Sequence, residues 1–560
     1  MHNFYLKNTT KSFETLPILG NSDKKNPKNP YDNSYGTATE KSHKLDVESD
    51  SKKFKYPIAV IFVLASKFFE AFAANGVRTV LALFLHDSLH LSEDTSSAIL
   101  HLFNFFSQFC PIFGAVLADS YLGNARTLFI FYIPYAIGYV GLVFTTLPYM
   151  EQVFSATTLV YVSLLLISIG NGNLRACITS LGGQQFNLPE QKPELDQYFS
   201  HYYFIYTLGI LLSKIFPPEV RSVTTCFQED VCYTAVFGML CLVFFASWFV
   251  FLVGLCFYKH ETPQHNNVLF KVMGCCVHAL LNKLKGKVTT GDCLESAIGK
   301  YSDVFVADVR SFLRVIVLFI PLPIYFSLLA QQDSSWTFQA TQLNTTIAGF
   351  YIQPDQIKAI GPILLLILIP LFDKFIHPLC RYFGHQLSPL HSVSLGGFSA
   401  AFSFSCAGIL QILIEESDAP ISVIWQFPQF FFLQLGEVLL SIPGLQFAFT
   451  QAPSSMKSVL TAAWFCNNAI GNLIVVIMKE IKPIRYQSTE FFMYSLMMLL
   501  GIVIFSFLAH LYEERGEMRT SEGIIASEEQ TIEKFVYVEE LGIGNLEANS
   551  FDSMNSNYRY

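Results

Sequence analysis

Charge is scarce in this chain. Asp, Glu, Lys and Arg make up 14% of its 560 residues, against about 25% in a soluble globular protein. That scarcity, with a hydrophobic fraction of 52% and a mean hydropathy of +0.39, excludes an ordinary soluble domain. Other absences exclude whole chemistries. The twelve cysteines contain no CxxC pair with zinc-like spacing, so no structural zinc site or other metal centre is expected. No phosphate-binding glycine loop, nucleophile elbow or paired-carboxylate cleft occurs, so no enzyme and no bound cofactor are expected. No exposed basic patch exists to bind nucleic acid. Residues 1–56 are polar and lack an apolar core, so no cleavable leader is expected there.

What is present is hydrophobic length. Twelve runs long enough to span a bilayer, at about 20 residues each, begin near Pro57, Ser96, Thr127, Thr157, Ser200, Thr234, Phe312, Ile360, His391, Val423, Leu460 and Phe491. The run near Ser200 is the least hydrophobic. An all-α polytopic membrane protein follows. The runs fall into two six-helix blocks, 57–258 and 311–512, joined by a polar linker at 259–310. That division suggests the major facilitator fold, with a substrate site near the membrane midplane. Leu269–Leu284 in the linker repeats apolar residues at helical spacing and predicts an amphipathic helix. Residues 1–56 and 513–560 carry too little apolar content to fold alone and are expected to be disordered tails. Ten lysines in 1–55 and seven Lys or Arg in 259–310 place both tails and the linker in the cytosol.

The first run carries Lys67, Glu70 and Arg78 amid Ala, Val, Leu, Ile and Phe. A charge near the bilayer centre costs roughly 2.5–3.5 kcal/mol on the mildest scale and therefore faces protein or water. At about 3.6 residues per turn the three share one side of the helix. An ionisable stripe of this kind predicts a polar pathway, and hence a transporter. Cys226 and Cys232 fall in a polar loop placed outside, where a disulfide can persist. In another external loop, Asn344-Thr345-Thr346 is a glycosylation sequon.

Gly114 through Arg126 (GAVLADSYLGNAR) closes the second run and resembles the short-loop signature of the major facilitator superfamily. In that signature Asp119 and Arg126 serve gating. Leu181-Gly182-Gly183-Gln184-Gln185-Phe186 resembles the Phe-Gly-Gly-Asp-Gln-Phe signature of proton-coupled oligopeptide transporters. Ile320–Pro323 followed by Gln331-Gln332, Ile352–Gln356 and Gln451–Ser458 match that family in order and spacing, over about Lys55 to Leu511. The chain is most similar to the animal peptide and peptide/histidine carriers, without the large external insertion of the former.

The resemblance implies a symporter of di- and tripeptides or similar small zwitterions, with protons as the coupling ion, the bilayer as its surroundings and a functional monomer. A peptide carboxylate wants cations, which Arg78 and Arg175 supply, and Arg suits forked carboxylate binding. Its amine wants a carboxylate, which Glu437 supplies. The resemblance adds Tyr203, Phe326, Gln332, Trp464 and Asn472 to the substrate cavity and makes Glu70, His101 and Glu437 the candidate protonation sites. A histidine titrates near pH 6.5 when unperturbed. Arg314 and Asp373 match a latch between the seventh and eighth spans, and Lys67 joins the gating set.

The pattern breaks in the first span, where the family's Glu-x-x-Glu-Arg-Phe reads Lys67-Phe68-Phe69-Glu70-Ala71-Phe72. An opposite charge beside Glu70 favours its ionised form. Two alternatives therefore stand beside proton-coupled symport: a facilitator of another peptide-like or amino-acid-derived solute without proton drive, and a transporter-like sensor. The plasma membrane is the expected location. The stretch Glu14–Leu19 loosely resembles a sorting signal and leaves lysosomal or vesicular membranes open.

Overall fold

The computed structural model describes residues 57–148, 155–187, 191–226, 231–259, 268–285, 293–347, 349–382, 388–451, 457–481 and 486–540. The N-terminal tail, the sequence's last twenty residues and parts of the linker lie outside them. Nearly all of what is described is helix. Ten helices among the described residues are long and apolar enough to cross a membrane, and a bent pair, Asp303–Phe319 with Leu322–Thr341, makes an eleventh if counted as one span. The 49° bend falls at Ile320-Pro321-Leu322-Pro323, where proline removes backbone donors and crowds the preceding turn. The run near Ser200 forms the 32-residue helix Lys192–Val223 and is outside the apolar set, in keeping with its low hydrophobicity.

The chain divides into two compact units. The first comprises Met1–Val77 and Cys110–His265. Its helices are α1 (Ile58–Leu83) as far as Val77, α3 (Pro111–Leu117), α4 (Asn124–Phe144), α5 (Ala156–Gly183), α6 (Lys192–Val223) and α7 (Tyr233–Gly254). Helices α4 and α5 pack closely because Gly170 lies against the Tyr135 side chain, where an added Cβ would come within 2.3 Å of its Cβ. Tyr132, Tyr135 and Tyr139 recur along one face of α4 and stack on Phe244 and Phe251 of α7 at centroid distances of 4.6–5.0 Å. Such pairs add to the burial of large apolar area. Ser66 of α1 donates to the Ser247 carbonyl of α7 at 3.1 Å.

The second unit comprises Arg78–Phe109 and Asn266–Tyr560, so the end of α1 and helix α2 (Glu93–Phe109) belong to it. The linker helix α8 spans Val268–Leu284, close to the amphipathic segment read from the sequence. It buries Val272, Cys275 and Ala279 and leaves Met273, Val277, Leu280 and Leu284 exposed. Burial pushes the Cys275 and Cys276 thiols up, so neither is an activated thiolate. The rest are α9 (Asp303–Phe319), α10 (Leu322–Ala330), α11 (Ser335–Thr341), α12 (Ile360–Leu371), α13 (His377–Tyr382), α14 (Pro389–Glu416), α15 (Phe427–Gln451), α16 (Lys457–Ile481) and α17 (Gln487–Glu540).

Helix α14 packs against both α15 and α17, and α2 packs along α16. Gly396 and Gly436 meet back to back: a Cβ on either would stand 2.8–2.9 Å from the other's carbonyl oxygen. Helix α17 stays helical to Glu540, through a stretch whose composition alone predicts an unfolded tail. Its Glu, Met and Arg content is compatible with a helix propagated from the packed span. Several buried amides pair with one another: Gln426 and Gln429 both donate to Gln339 Oε1 at 3.0–3.1 Å, and Gln339 donates to Gln411 Oε1 at 3.1 Å. In a lipid-surrounded bundle such polar groups have no water to turn to, so internal pairing is required.

Candidate functional site

In the first unit, the α1 stripe closes on itself. Lys67 and Glu70 are 2% and 1% exposed, and Lys67 Nζ lies 2.7 Å from Glu70 Oε2. The other oxygen, Oε1, accepts from Asn171 Nδ2 of α5 at 2.7 Å and from the Tyr135 hydroxyl of α4 at 3.4 Å. The ammonium of Lys67 also sits 4.8 Å from the centroid of the Tyr206 ring, a cation–π arrangement. The Tyr206 hydroxyl accepts from Arg175 Nη2 at 3.3 Å, so Lys67, Glu70 and Arg175 form one charged cluster. Tyr203, on the same helix as Tyr206, is exposed.

In the second unit, Arg78 Nε donates to Asn104 Oδ1 of α2 at 2.9 Å and its guanidinium lies over Phe103. One helical turn before Asn104, His101 is completely buried. Its Nδ1 lies 3.0 Å from Asn472 Oδ1 of α16, and its Nε2 lies 2.7 Å from Ser334 Oγ at the break between α10 and α11. Asn472 Nδ2 donates to Asn468 O and Oδ1, which turns Asn472 Oδ1 toward the ring. Phe326 and Trp464 meet edge to face at 5.8 Å, and Phe319 meets Trp464 edge to face at 5.4 Å. Gln332 Oε1 accepts from Gln434 Nε2 at 3.0 Å. Glu437 follows Gly436 on α15, is half-buried, and interacts electrostatically with Tyr325. Arg314 is half-buried on α9.

The remaining sequence candidates are distributed as follows. Asp119 lies in a π-helical turn, Ala118–Leu122, and Asp373 in another, Phe372–Ile376. Their side chains are outside the described residues, so the expected Arg314–Asp373 pair is not seen. Arg126 is exposed. Cys226 and Cys232 are joined by a disulfide. Asn344 is exposed, and its Oδ1 accepts the Thr346 amide at 3.0 Å.

Sequence reasoning missed several groups. Lys358 and Lys479 carry no motif in the sequence, yet they are 1% and 9% exposed. Lys358 Nζ donates to the carbonyls of Thr79 at 2.9 Å and Asp333 at 3.2 Å. Lys479 bridges Asp94 of α2 at 3.2 Å and Glu490 of α17 at 2.8 Å. Ser334, Asn171 and Tyr135 carried no signal of their own. The position of Lys358 two residues past the Ile352–Gln356 motif was the available clue.

Comparison with known proteins places this geometry. The family model described as POT family matches residues 125–482. Solute carrier family 15 member 2 of Homo sapiens is 35% identical over 367 residues, covering 64% of this chain and 50% of that protein. Peptide transporter family 1 of Drosophila melanogaster is 24% identical over 671 residues, covering 84% of this chain and 90% of that protein. The chain spans about half the length of several curated relatives that it matches. A crystal structure of the POT family transporter PepTSo superposes with a TM-score of 0.72 at 23% identity, over 82% of this chain and 99% of that one, and this likeness defines the fold. The fold is that of a polytopic α-helical membrane protein like the POT transporter of that structure. Within that class, the chain belongs to the POT family.

Proposed function

We propose that the protein is a proton-coupled symporter of short peptides or similar small zwitterions, working by alternating access. His101 carries this reading: a buried histidine held at both ring nitrogens by two C-terminal elements is a titratable group placed where helices meet. Arg78 and Arg175 are the candidates for the substrate carboxylate and Glu437 for its amine, with Tyr203, Phe326, Gln332, Trp464 and Asn472 as further candidate contacts. His101 and Glu437 would load the proton. Glu70 is the third candidate from the sequence. Relatives whose printed names describe peptide transporters support the substrate class.

The polar links that hold residues 78–109 to the C-terminal helices support alternating access. They are His101 with Ser334 and Asn472, Lys358 with Thr79, and Lys479 with Asp94. If α1 and α2 move with the helices that follow them in sequence, each link must break. Lys67, Asp119, Arg126, Arg314 and Asp373 would serve gating.

The test is expression in oocytes with surface delivery confirmed. Labelled dipeptide uptake and current are then recorded at mildly acidic and neutral external pH. Acid-stimulated uptake with inward current is expected. Surface protein showing neither would overturn the reading in favour of another solute or a sensor.

A further inference from the structure

Resting on the transport reading above, we propose that Lys67 is a built-in counter-ion that takes a proton's place at Glu70. This carboxylate then stays ionised through the cycle, and the coupling proton is carried elsewhere in the chain.

A buried carboxylate is tolerated either by binding a proton or by pairing with a fixed cation that is itself hydrogen-bonded. Helix α1 provides the second solution within a single turn. Both Glu70 oxygens are already occupied by donors: Lys67 Nζ on Oε2, and Asn171 Nδ2 with the Tyr135 hydroxyl on Oε1. A proton added to either oxygen would meet donor hydrogens. The Tyr135 oxygen is itself engaged as an acceptor of Asn171 Nδ2 at 3.2 Å. Protonating Glu70 would also strand the ammonium of Lys67, 2% exposed, without its carboxylate.

The ionisable groups facing the pair reinforce this. Helix α4 brings Tyr132 and Tyr135, α5 brings Arg175, and α6 brings Tyr202 and Tyr206. Helix α7 approaches through Ser247, which does not titrate and contacts Ser66 and Tyr132. The tyrosines are neutral at physiological pH, so Lys67 and Arg175 are the cations around one carboxylate. Removing the Lys67 charge should therefore turn Glu70 into a proton site.

The experiment is infrared difference spectroscopy on the purified full-length protein, taken from about pH 8 to about pH 5, across the range in which coupling groups titrate. The charge-neutral double variant K67Q/E70Q assigns any band to Glu70. The wild type is expected to show no protonated carboxyl band from Glu70 on acidification, and K67Q to gain one. A band that grows in the wild type and vanishes in K67Q/E70Q would overturn the proposal. So would a K67Q protein that folds and gains no such band. If K67Q fails to fold, the wild-type spectrum decides alone. A protein that moves no dipeptide would sink the transport reading while leaving this result standing.

Discussion

His101 and Asn472 are 371 positions apart in sequence, yet Nδ1 of the one and Oδ1 of the other meet at 3.0 Å in a buried site. Because Asn472 Nδ2 is committed to Asn468, the amide offers its oxygen and the imidazole carries its proton on Nδ1. Nε2 is then the open position, facing the Ser334 hydroxyl, which can donate to it or accept from it. A proton can therefore arrive at Nε2 with only a turn of that hydroxyl.

Replacing His101 by Gln keeps hydrogen-bonding groups in the site but removes the titratable nitrogen. Uptake by H101Q should lose its dependence on external pH. Acid-driven accumulation should fall about tenfold or more, equivalent to roughly 1.4 kcal/mol. Labelled uptake against pH, normalised to surface protein, measures it. An unchanged pH profile would remove His101 from the coupling scheme.

The Lys67–Glu70 pair should respond to single and double replacement very differently. Removing one partner leaves an uncompensated buried charge at a cost of about 3–5 kcal/mol, whereas removing both is often close to neutral. K67Q and E70Q should each lower the melting temperature of the detergent-purified protein markedly, and K67Q/E70Q should recover most of the loss. Additive effects would mean that the two charges do not interact as the 2.7 Å contact requires.

Lys358 ties the Thr79 carbonyl to the turn before α12. Lys358→Met keeps the length and removes the donor, leaving the carbonyls of Thr79 and Asp333 short of a partner, at about 1–3 kcal/mol. Amide hydrogen exchange in residues 78–88 should quicken while α14 is unaffected. Equal protection in both proteins would show that Lys358 does not hold this segment.

At the α14–α15 contact, Gly396→Ala would set a Cβ 2.9 Å from the Gly436 carbonyl and 2.8 Å from Leu440 Cβ. The helices would have to separate, at about 1–3 kcal/mol. A lower melting temperature and a lower yield of monodisperse protein are expected. Wild-type values for both would mean the two backbones are not in contact there.

Much of this was legible in the sequence because it depends on local pattern. Lys67 and Glu70 stood out as charges in an apolar run, and the amphipathic period of Leu269–Leu284 marked the linker helix. What was hidden depends on tertiary partners. Lys358 and Lys479 were not legible because local pattern does not register the carbonyls of Thr79 and Asp333 or the carboxylates of Asp94 and Glu490. Ser334 is one serine among many until His101 folds against it. The placing of residues 78–109 with the C-terminal helices arises from contacts hundreds of residues apart, such as Lys479 with Asp94, which no window of sequence contains.

The most direct test of proton-coupled transport is reconstitution of the full chain into liposomes with an imposed pH gradient, acid on the side from which labelled dipeptide enters. The account predicts accumulation above the external concentration, collapsing when a protonophore is added. Uptake that only equilibrates and ignores both gradient and protonophore would contradict it.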